Sequence, residues 1–379
     1  MSMLICPLIV YLFYRFTVGR KIKSLVYAPY ASDEKLNQMF DKVPLIFCLI
    51  TFGYFIFWIG MRTAFVDTAQ YIASFKAIPN NFTDAWNGIE WDGKAPGFEV
   101  FNVLFKSFIS QNYQWWLMTI AIFCGLLVMI TLRKHSCNFF YSSFLFISIL
   151  TFTWMMNGMR QFIAVVVLFA LSEWIVKGKF LPFVLAILLL STIHTTCLLM
   201  IPIYFIVRCK PWSGRIIAFL FVIILICIFA EPFFEEVDNV LQGSSYSGVG
   251  ISEQMQEDDG VNPIRVAFYA VFPIVSYFYR GTLVKENETN PYVNICINMS
   301  LVAASLYLVG MFSSGILIGR LPIYCEVYNL ILIPLLIKKC FPKEQQKLVY
   351  FISTLTFCVY FILLTNRYYY VSNLTGVIL

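Results

Sequence analysis

The residues with the clearest potential for chemistry are three arginines, one histidine and two carboxylates at the borders of apolar runs. They are Arg62, Arg160, Arg320, His194, Asp67 and Glu99. A guanidinium donates two parallel hydrogen bonds and keeps its charge when desolvated, so grouped arginines favour a phosphate or pyrophosphate ligand. A neutral imidazole or a carboxylate nearby could take a proton from an attacking hydroxyl. This chemistry requires a fold that brings the residues together.

Composition shows which solvent surrounds that fold. Of the 379 residues, 60% are hydrophobic and only 13% are charged, and the mean hydropathy is +0.76. A chain with so few polar groups cannot cover a water-soluble globule, so we predict an all-α polytopic membrane protein. The net charge of +6 comes from basic residues in short loops, which is typical of membrane topology and implies no nucleic-acid partner.

The 11 cysteines form no CxxC pair and mostly lie within apolar runs, so we predict neither a disulfide framework nor a metal site. The first apolar run has no basic segment before it and no small-residue cleavage site after it. We therefore expect it to be retained as a helix rather than removed as a signal peptide.

The apolar runs predict about twelve transmembrane helices, with a range of about ten to fourteen, in one domain over residues 1–379. The predicted spans are 3–16, 43–61, 115–132, 139–156, 162–176, 180–190, 198–207, 216–230, 264–279, 292–312, 321–337 and 348–364. Lysines and arginines concentrate on one side of this arrangement, and the positive-inside rule makes that side cytoplasmic. Both termini are then predicted outside.

Two long connections fall on the outer side. The first, 62–114, contains apolar residues at helical spacing between Phe98 and Ile109, which predicts a helix lying at the membrane interface. The second, 231–263, is acidic and rich in Gly and Ser. The six candidate residues all fall on this same side.

Arg160 lies in a five-residue interruption, 157–161, between two predicted spans. A permanent cation at the mouth of such a hairpin is costly unless something uses it. Arg62 and Arg320 lie at helix ends, where an arginine can also serve only as an interfacial anchor. The absence of an obvious internal repeat weighs against the inverted-repeat transporters.

The other polar candidates each have a structural alternative. His194 could be a helix–helix hydrogen bonder, and Asp67 could cap a helix running through Tyr71 to Phe75. Glu99 could favour the dipole of the interfacial helix. Glu326 is a carboxylate at membrane depth, which is expected to line a cavity or to bind an arginine.

Several short blocks also resemble a known family. The stretch Gly60 to Tyr71, with the sequence GMRTAFVDTAQY, is similar to the signature of the EpsG family, a branch of the Wzy-type polysaccharide polymerases. Further blocks agree in order: Pro96 to Glu99, Asn157 to Gln161, Ile193 with His194, and Arg320 with Tyr324. The resemblance spans about residues 60–336, and the acidic Gly/Ser-rich loop matches no element of the family.

The resemblance implies a GT-C-like membrane enzyme, namely an inverting, metal-independent glycosyltransferase without a cofactor. It would polymerise oligosaccharide repeat units carried on polyprenyl pyrophosphate, with a site facing outward from the bacterial cytoplasmic membrane. The implied partners are the lipid-linked oligosaccharide, the bilayer and a chain-length regulator.

The roles that follow from this resemblance are specific. Arg160, Arg320 and Arg62 would bind the pyrophosphate, and His194 or Asp67 would activate the acceptor hydroxyl. The remaining candidates would contact the substrate. They are Glu99, Gln161, Tyr71, Tyr324 and Glu326.

Two other functions stay open from the sequence. A flippase or transporter would move the lipid-linked oligosaccharide without chemistry, and it would favour polar residues spread through the membrane thickness. A polysaccharide ligase would pass finished polymer to another acceptor and needs the same grip on pyrophosphate.

Overall fold

The computed structural model describes residues 2–26, 43–241, 260–283, 290–366 and 368–378. The basic segment after the first helix and most of the acidic loop lie outside the described residues. The described part is mainly helical and contains one small two-stranded antiparallel sheet, as expected for an all-α membrane protein.

Most of the helices are short or interrupted. In chain order they are α1 (Ser2–Val26), α2 (Leu45–Gly60), α3 (Thr68–Ala77), α4 (Phe82–Asn87), α5 (Pro96–Phe108), α6 (Tyr113–His135), α7 (Phe139–Ser148), α8 (Met159–Ala170), α9 (Ser172–Val176), α10 (Phe180–Ser191), α11 (Met200–Val207), α12 (Gly214–Ile228), α13 (Ala230–Leu241), α14 (Pro263–Phe278), α15 (Tyr292–Met311), α16 (Ile323–Glu326), α17 (Asn329–Cys340) and α18 (Lys343–Thr365). The strands are β1 (Val371–Ser372) and β2 (Val377–Ile378), and 3₁₀ turns cover Thr151–Met155, Thr195–Leu199 and Ile318–Arg320.

The chain divides into two compact units. Unit 1 comprises Met1–Pro79, Phe105–Met159 and Glu344–Leu379, and unit 2 comprises Asn80–Leu104 and Arg160–Lys343.

Aromatic packing forms the core of unit 1. Phe52 of α2 contacts Phe55 and Phe146, with ring centroids 5.4 and 5.7 Å apart. Phe75 of α3 stacks on Trp116 of α6 at 4.9 Å. Large rings bury much apolar area at little cost in rotamer entropy, so they fix these helices against one another.

In unit 2, α15 is the central helix and is mostly buried. Its Asn298 side chain donates to the carbonyls of Val207 and Cys209, at 3.0 and 2.7 Å. Its Tyr292 hydroxyl lies 2.8 Å from the Ser172 hydroxyl. In an apolar surrounding such hydrogen bonds hold helices together where hydrophobicity alone gives no preference between lipid and protein.

Within the described residues, α6, α15 and α18 are long and apolar enough to cross a membrane. Two bent pairs would raise the number of spans from 3 to 5: α12 with α13, bent by 92°, and the segment Ile318–Glu326 with α17, bent by 53°. Shorter apolar helices coincide with the remaining predicted spans. The structure thus supports a membrane protein, and the twelve-span count stays a prediction.

The predicted pair of continuous helices, 139–156 and 162–176, is wrong in its detail. Helix α7 ends at Ser148, and Leu150 adopts a left-handed conformation with φ 66°, which turns the chain into the 3₁₀ segment. Thr153 Oγ1 then donates to the Leu150 carbonyl at 2.7 Å. The interruption itself is also shorter than predicted, because α8 already begins at Met159. Arg160 therefore belongs to the first turn of a helix.

The C-terminal tail folds back onto the Gly60 to Tyr71 block within unit 1. Val371 exchanges backbone hydrogen bonds with Ala64, and Ser372 Oγ donates to the Met61 carbonyl at 2.6 Å. The sequence predicted only a short external tail. The pairing joins residues that are about 300 positions apart, so no local pattern could reveal it.

The interfacial helix predicted between Phe98 and Ile109 is confirmed as a helix, α5. Its Lys106 is buried and its ammonium group donates to the carbonyls of Phe75, Lys76 and Ile78 at the end of α3. Burial lowers the pKa of this lysine. A cation at a helix C-terminus satisfies orphan carbonyls and complements the helix dipole.

We expect Lys106→Met to lower the stability of the protein by about 1–3 kcal/mol, because the buried carbonyls lose their donor. The measurement is the thermal unfolding midpoint in detergent. Lys94→Met is the control, since Lys94 is exposed and should tolerate the change. Equal midpoints for the two variants would contradict the capping interpretation.

Candidate functional site

The candidate site is built from unit 2, beginning with α8. Arg160 is half-buried in the first turn of this helix, and its Nε is buried without a hydrogen-bond partner among the described residues. The positive end of the helix dipole also lies there. A cation and free backbone donors at one helix start together favour an anion.

The turn before α8 depends on a glycine. Gly158 has φ 72°, a left-handed conformation, and a Cβ at this position would lie 3.1 Å from the ring of Trp154. A residue with a side chain would therefore be strained in both backbone and packing. This turn sets where the next helix begins.

A second arginine is tied to the same helix start. Gln161 is buried, and its Nε2 donates to the Arg320 carbonyl at 3.0 Å. That bond fixes the 3₁₀ turn Ile318–Arg320 against α8. The Arg320 side chain itself is exposed. Gln161 therefore acts on the Arg320 backbone, whereas the resemblance had suggested a substrate contact for it.

His194 follows α10 in an extended conformation and completes the group. Its Nδ1 lies 2.7 Å from Thr196 Oγ1, which lies 3.1 Å from the Tyr324 hydroxyl. Burial, and then Arg160 and Arg320, lower the pKa of His194 to about 4. The histidine is thus neutral at pH 7, and both arginines lie within electrostatic range of it.

This group can hold an anion next to a neutral base. If Nδ1 donates its proton to Thr196, then Nε2 carries the lone pair that could accept a proton from a hydroxyl. Tyr324 is buried and supports the threonine. An anion between the arginines would offset their charge and strengthen the base.

The Pro96 to Glu99 block lies against the same hinge. The Gly97 N–H donates to the Thr192 carbonyl at 2.8 Å, and a Cβ on Gly97 would come within 2.9 Å of the Thr192 Cβ. Only glycine permits this close approach. The Glu99 carboxylate accepts the Glu90 N–H at 2.9 Å, so part of its hydrogen-bonding capacity serves the fold.

Glu326 is fully enclosed by protein partners. The Tyr307 hydroxyl donates to its carboxylate, and Arg265 and Tyr269 also interact favourably with it. Arg265 lies over the Tyr307 ring, 4.8 Å from its centroid. Of the two roles expected from the sequence, the structure supports the arginine partner. Sequence reasoning missed Arg265, which is a cation in the first turn of the apolar helix α14.

In unit 1, Arg62 is completely buried. Its Nε donates to Thr68 Oγ1 at 2.9 Å, its Nη1 to the Ile59 carbonyl at 2.6 Å and its Nη2 to Met159 Sδ at 2.7 Å. Burial lowers its pKa to about 9, which leaves it cationic at neutral pH. The expectation that Arg62 contacts pyrophosphate is not supported by this enclosure, and we assign it to holding the loop before α3.

Asp67 and Tyr71 belong to the same block of unit 1. Asp67 occupies the N-cap position of α3, as the structural alternative predicted, but its side chain makes no capping hydrogen bond. Val66, directly before it, has φ 41°, which is strained for a β-branched residue. Asp67 and Tyr71 are both half-buried. Both residues belong to unit 1, whereas the group around His194 belongs to unit 2.

The model of the EpsG family matches residues 45–373 of the chain. The chain belongs to the EpsG family. This match covers most of both units, and members of the family are similar to Wzy-type polymerases. No curated protein and no solved structure matches the chain significantly.

Membership of the EpsG family indicates a polymerase-type membrane protein of polysaccharide biosynthesis. Of the blocks that carried the resemblance, Gly60 to Tyr71 lies in unit 1, and the later ones are joined by contacts within unit 2. There Gly97 contacts the hinge before His194, Gln161 contacts Arg320, and Thr196 contacts Tyr324. Within the described ranges, no three His, Cys, Asp or Glu side chains are arranged to hold a metal ion.

We expect Arg160→Gln and Arg320→Gln each to raise the pKa of His194 above its value of about 4, because each removes a neighbouring positive charge. The chain has only 2 histidines, so His135→Gln leaves His194 as a single reporter. The measurement is the ¹³C shift of labelled imidazole against pH. Arg280→Gln should leave the titration unchanged, and an unmoved pKa in both site variants would contradict the grouping.

Proposed function

We propose that this EpsG-family protein is an inverting polysaccharide polymerase that joins oligosaccharide repeat units carried on polyprenyl pyrophosphate. The observation that carries the proposal is that Gln161 ties the Arg320 turn to the helix start that carries Arg160, and that both cations act on a neutral His194. Two guanidinium groups suit the diphosphate of the donor, and the imidazole suits the acceptor hydroxyl.

The reaction has a simple balance of atoms. The oxygen of an acceptor hydroxyl attacks the anomeric carbon of the donor sugar, and the bond from that carbon to the pyrophosphate oxygen breaks. The electron pair leaves with polyprenyl pyrophosphate, and the hydroxyl proton passes to His194. Arg160 and Arg320 stabilise the charge that develops on the leaving group.

Asp67 remains the alternative base. It stands directly before α3 without a capping bond, which leaves its carboxylate for other chemistry. His194 is favoured, because its two cationic neighbours are the residues expected to hold the leaving group.

We further propose that about twelve spans form a GT-C-like bundle in the bacterial cytoplasmic membrane, with the site and both termini facing outward. The apolar helices and bent pairs that overlap the predicted spans support this arrangement. A chain-length regulator is the expected protein partner.

The test of the function is elongation of purified lipid-linked repeat units in proteoliposomes, read as a ladder of products on a gel. A polymerase yields a ladder that grows with time, and unchanged single units would overturn the proposal. In cells that lack the gene, surface polysaccharide of single units indicates a lost polymerase. Polymer stranded on its carrier indicates a ligase, and repeat units trapped inside indicate a flippase.

A further inference from the structure

An aromatic corner stands on the surface of unit 2 and is not used by the proposed chemistry. It consists of Phe82 and Trp86 on α4 and of Trp91 in the loop that follows. Asn81 caps this short helix by accepting the Thr83 N–H at 3.2 Å. The cap fixes Phe82 and Trp86 on one helix face, four residues apart.

The three rings are contiguous. The centroids of Phe82 and Trp86 are 5.6 Å apart, and those of Trp86 and Trp91 are 5.7 Å apart with an interplanar angle of 66°. Trp91 therefore forms an edge against Trp86 and does not lie flat on it. Two ring planes at such an angle can contact a sugar from two sides.

The corner is open to its surroundings. Trp91 is 57% exposed and Phe82 is 38% exposed. The side of this segment that packs on the protein consists of other residues, namely Ala85, Ile89 and Ala95, all of which are buried. The exposed rings are therefore not needed for that packing. Contiguous exposed rings with a polar rim mark interaction sites rather than packing.

The rim of the corner is acidic. Asp84, Glu90 and Asp92 are exposed around the rings, and Lys94 is the one exposed cation between residues 81 and 95. Carboxylates accept hydrogen bonds from the hydroxyl groups of a sugar. The face of a sugar ring that presents C–H groups packs on aromatic rings. Helices that dock on anionic lipid carry lysine and arginine on their polar face instead. The charge therefore favours a saccharide over the membrane surface.

The corner is also connected to the candidate site through one unit. The Glu90 N–H binds the Glu99 carboxylate at 2.9 Å, and two residues earlier Gly97 binds Thr192 at 2.8 Å. Thr192 is two residues from His194. A saccharide on the corner would thus rest on the segment that is hydrogen-bonded to the hinge of the candidate base.

We propose that Phe82, Trp86 and Trp91 form a subsite that binds sugar rings of the growing polysaccharide chain. This inference rests on the proposed function. The acidic rim selects uncharged or cationic sugars at this position and disfavours acidic ones. The subsite retains the chain between additions, so it governs product length more than the joining step itself.

The test uses the full-length protein in nanodiscs and oligosaccharides of several repeat units. These are released by partial acid hydrolysis from the polysaccharide that the protein's own cells make, so they carry neither lipid nor pyrophosphate. Trp91→Ala should weaken their binding in equilibrium dialysis by about tenfold. Phe82→Ala should weaken it as well. Trp115→Ala is the matched control, because Trp115 is 64% exposed but lies on the apolar helix α6.

The elongation assay gives a second readout. Trp91→Ala should shorten the product ladder while leaving the first joining of two units near its wild-type rate. Unchanged binding in both Trp91→Ala and Phe82→Ala would overturn the subsite. The fluorescence of Trp91 is the part that is lost in Trp91→Ala. Quenching of this part by lipids brominated near the headgroup would also overturn the subsite and would make the corner a membrane anchor.

The two proposals fail separately. Dialysis of free oligosaccharide needs no turnover, so it tests the subsite by binding alone. Failure of the wild-type protein to elongate lipid-linked units would reject the polymerase, whereas elongation with unaltered binding in the variants would reject only the subsite.

Discussion

Arg160→Gln and Arg320→Gln are each expected to slow polymer formation by about 100- to 1,000-fold, which is the typical cost of removing one preorganised donor to a developing negative charge. Arg160 has a buried Nε without a partner among the described residues, Arg320 is exposed, and both cations lower the pKa of His194. The measurement is the initial rate of elongation in proteoliposomes.

Three further variants sharpen this prediction. Arg160→Lys keeps the charge but loses the bidentate geometry, so we expect an intermediate rate. The double variant should lose less than the product of the single losses, because both arginines act on one anion. Arg280→Gln is the control, since Arg280 is an exposed arginine that stacks on Tyr277 at 4.4 Å. Long polymer at the wild-type rate from either inserted single variant would contradict the assignment.

His194→Gln is expected to lower the rate by about 100- to 10,000-fold, the range of general-base assistance. In the wild type the rate should fall as the pH drops through the pKa of His194 in the complex. That pKa should lie above about 4, because bound pyrophosphate offsets Arg160 and Arg320. The measurement is the rate against pH, in which the acidic limb should disappear in His194→Gln.

Asp67→Asn separates the two candidate bases. A larger loss in Asp67→Asn than in His194→Gln, together with an acidic limb that survives in His194→Gln, would transfer the role to Asp67. Thr196→Val tests the support of the imidazole, because it removes the hydroxyl 2.7 Å from Nδ1. We expect a smaller loss there than for His194→Gln.

Much of the architecture follows from local patterns. Continuous apolar runs predict the membrane helices, and the helical spacing after Phe98 predicts α5. The ion pair between Glu173 and Lys177, at 2.8 Å, is of the same local kind, because residues four apart along a helix are neighbours. Such features depend only on residues close in sequence.

The features that escaped prediction depend on distant partners. No glycine or proline marks the left-handed turn at Leu150. The enclosure of Arg62 by Thr68 and Met159, and the pairing of Glu326 with Arg265, likewise arise from tertiary contacts. A sequence displays each charge but does not show which group satisfies it.

The most direct test of the central claim is to titrate His194 in the presence of the leaving group. The protein carries His135→Gln and labelled histidine in nanodiscs, with and without polyprenyl pyrophosphate. We predict that the lipid raises the pKa of His194 in otherwise wild-type protein and leaves it unchanged when Arg160→Gln and Arg320→Gln are combined. An unmoved pKa in the first protein, or the same rise in the second, would contradict the claim that these arginines hold the pyrophosphate beside His194.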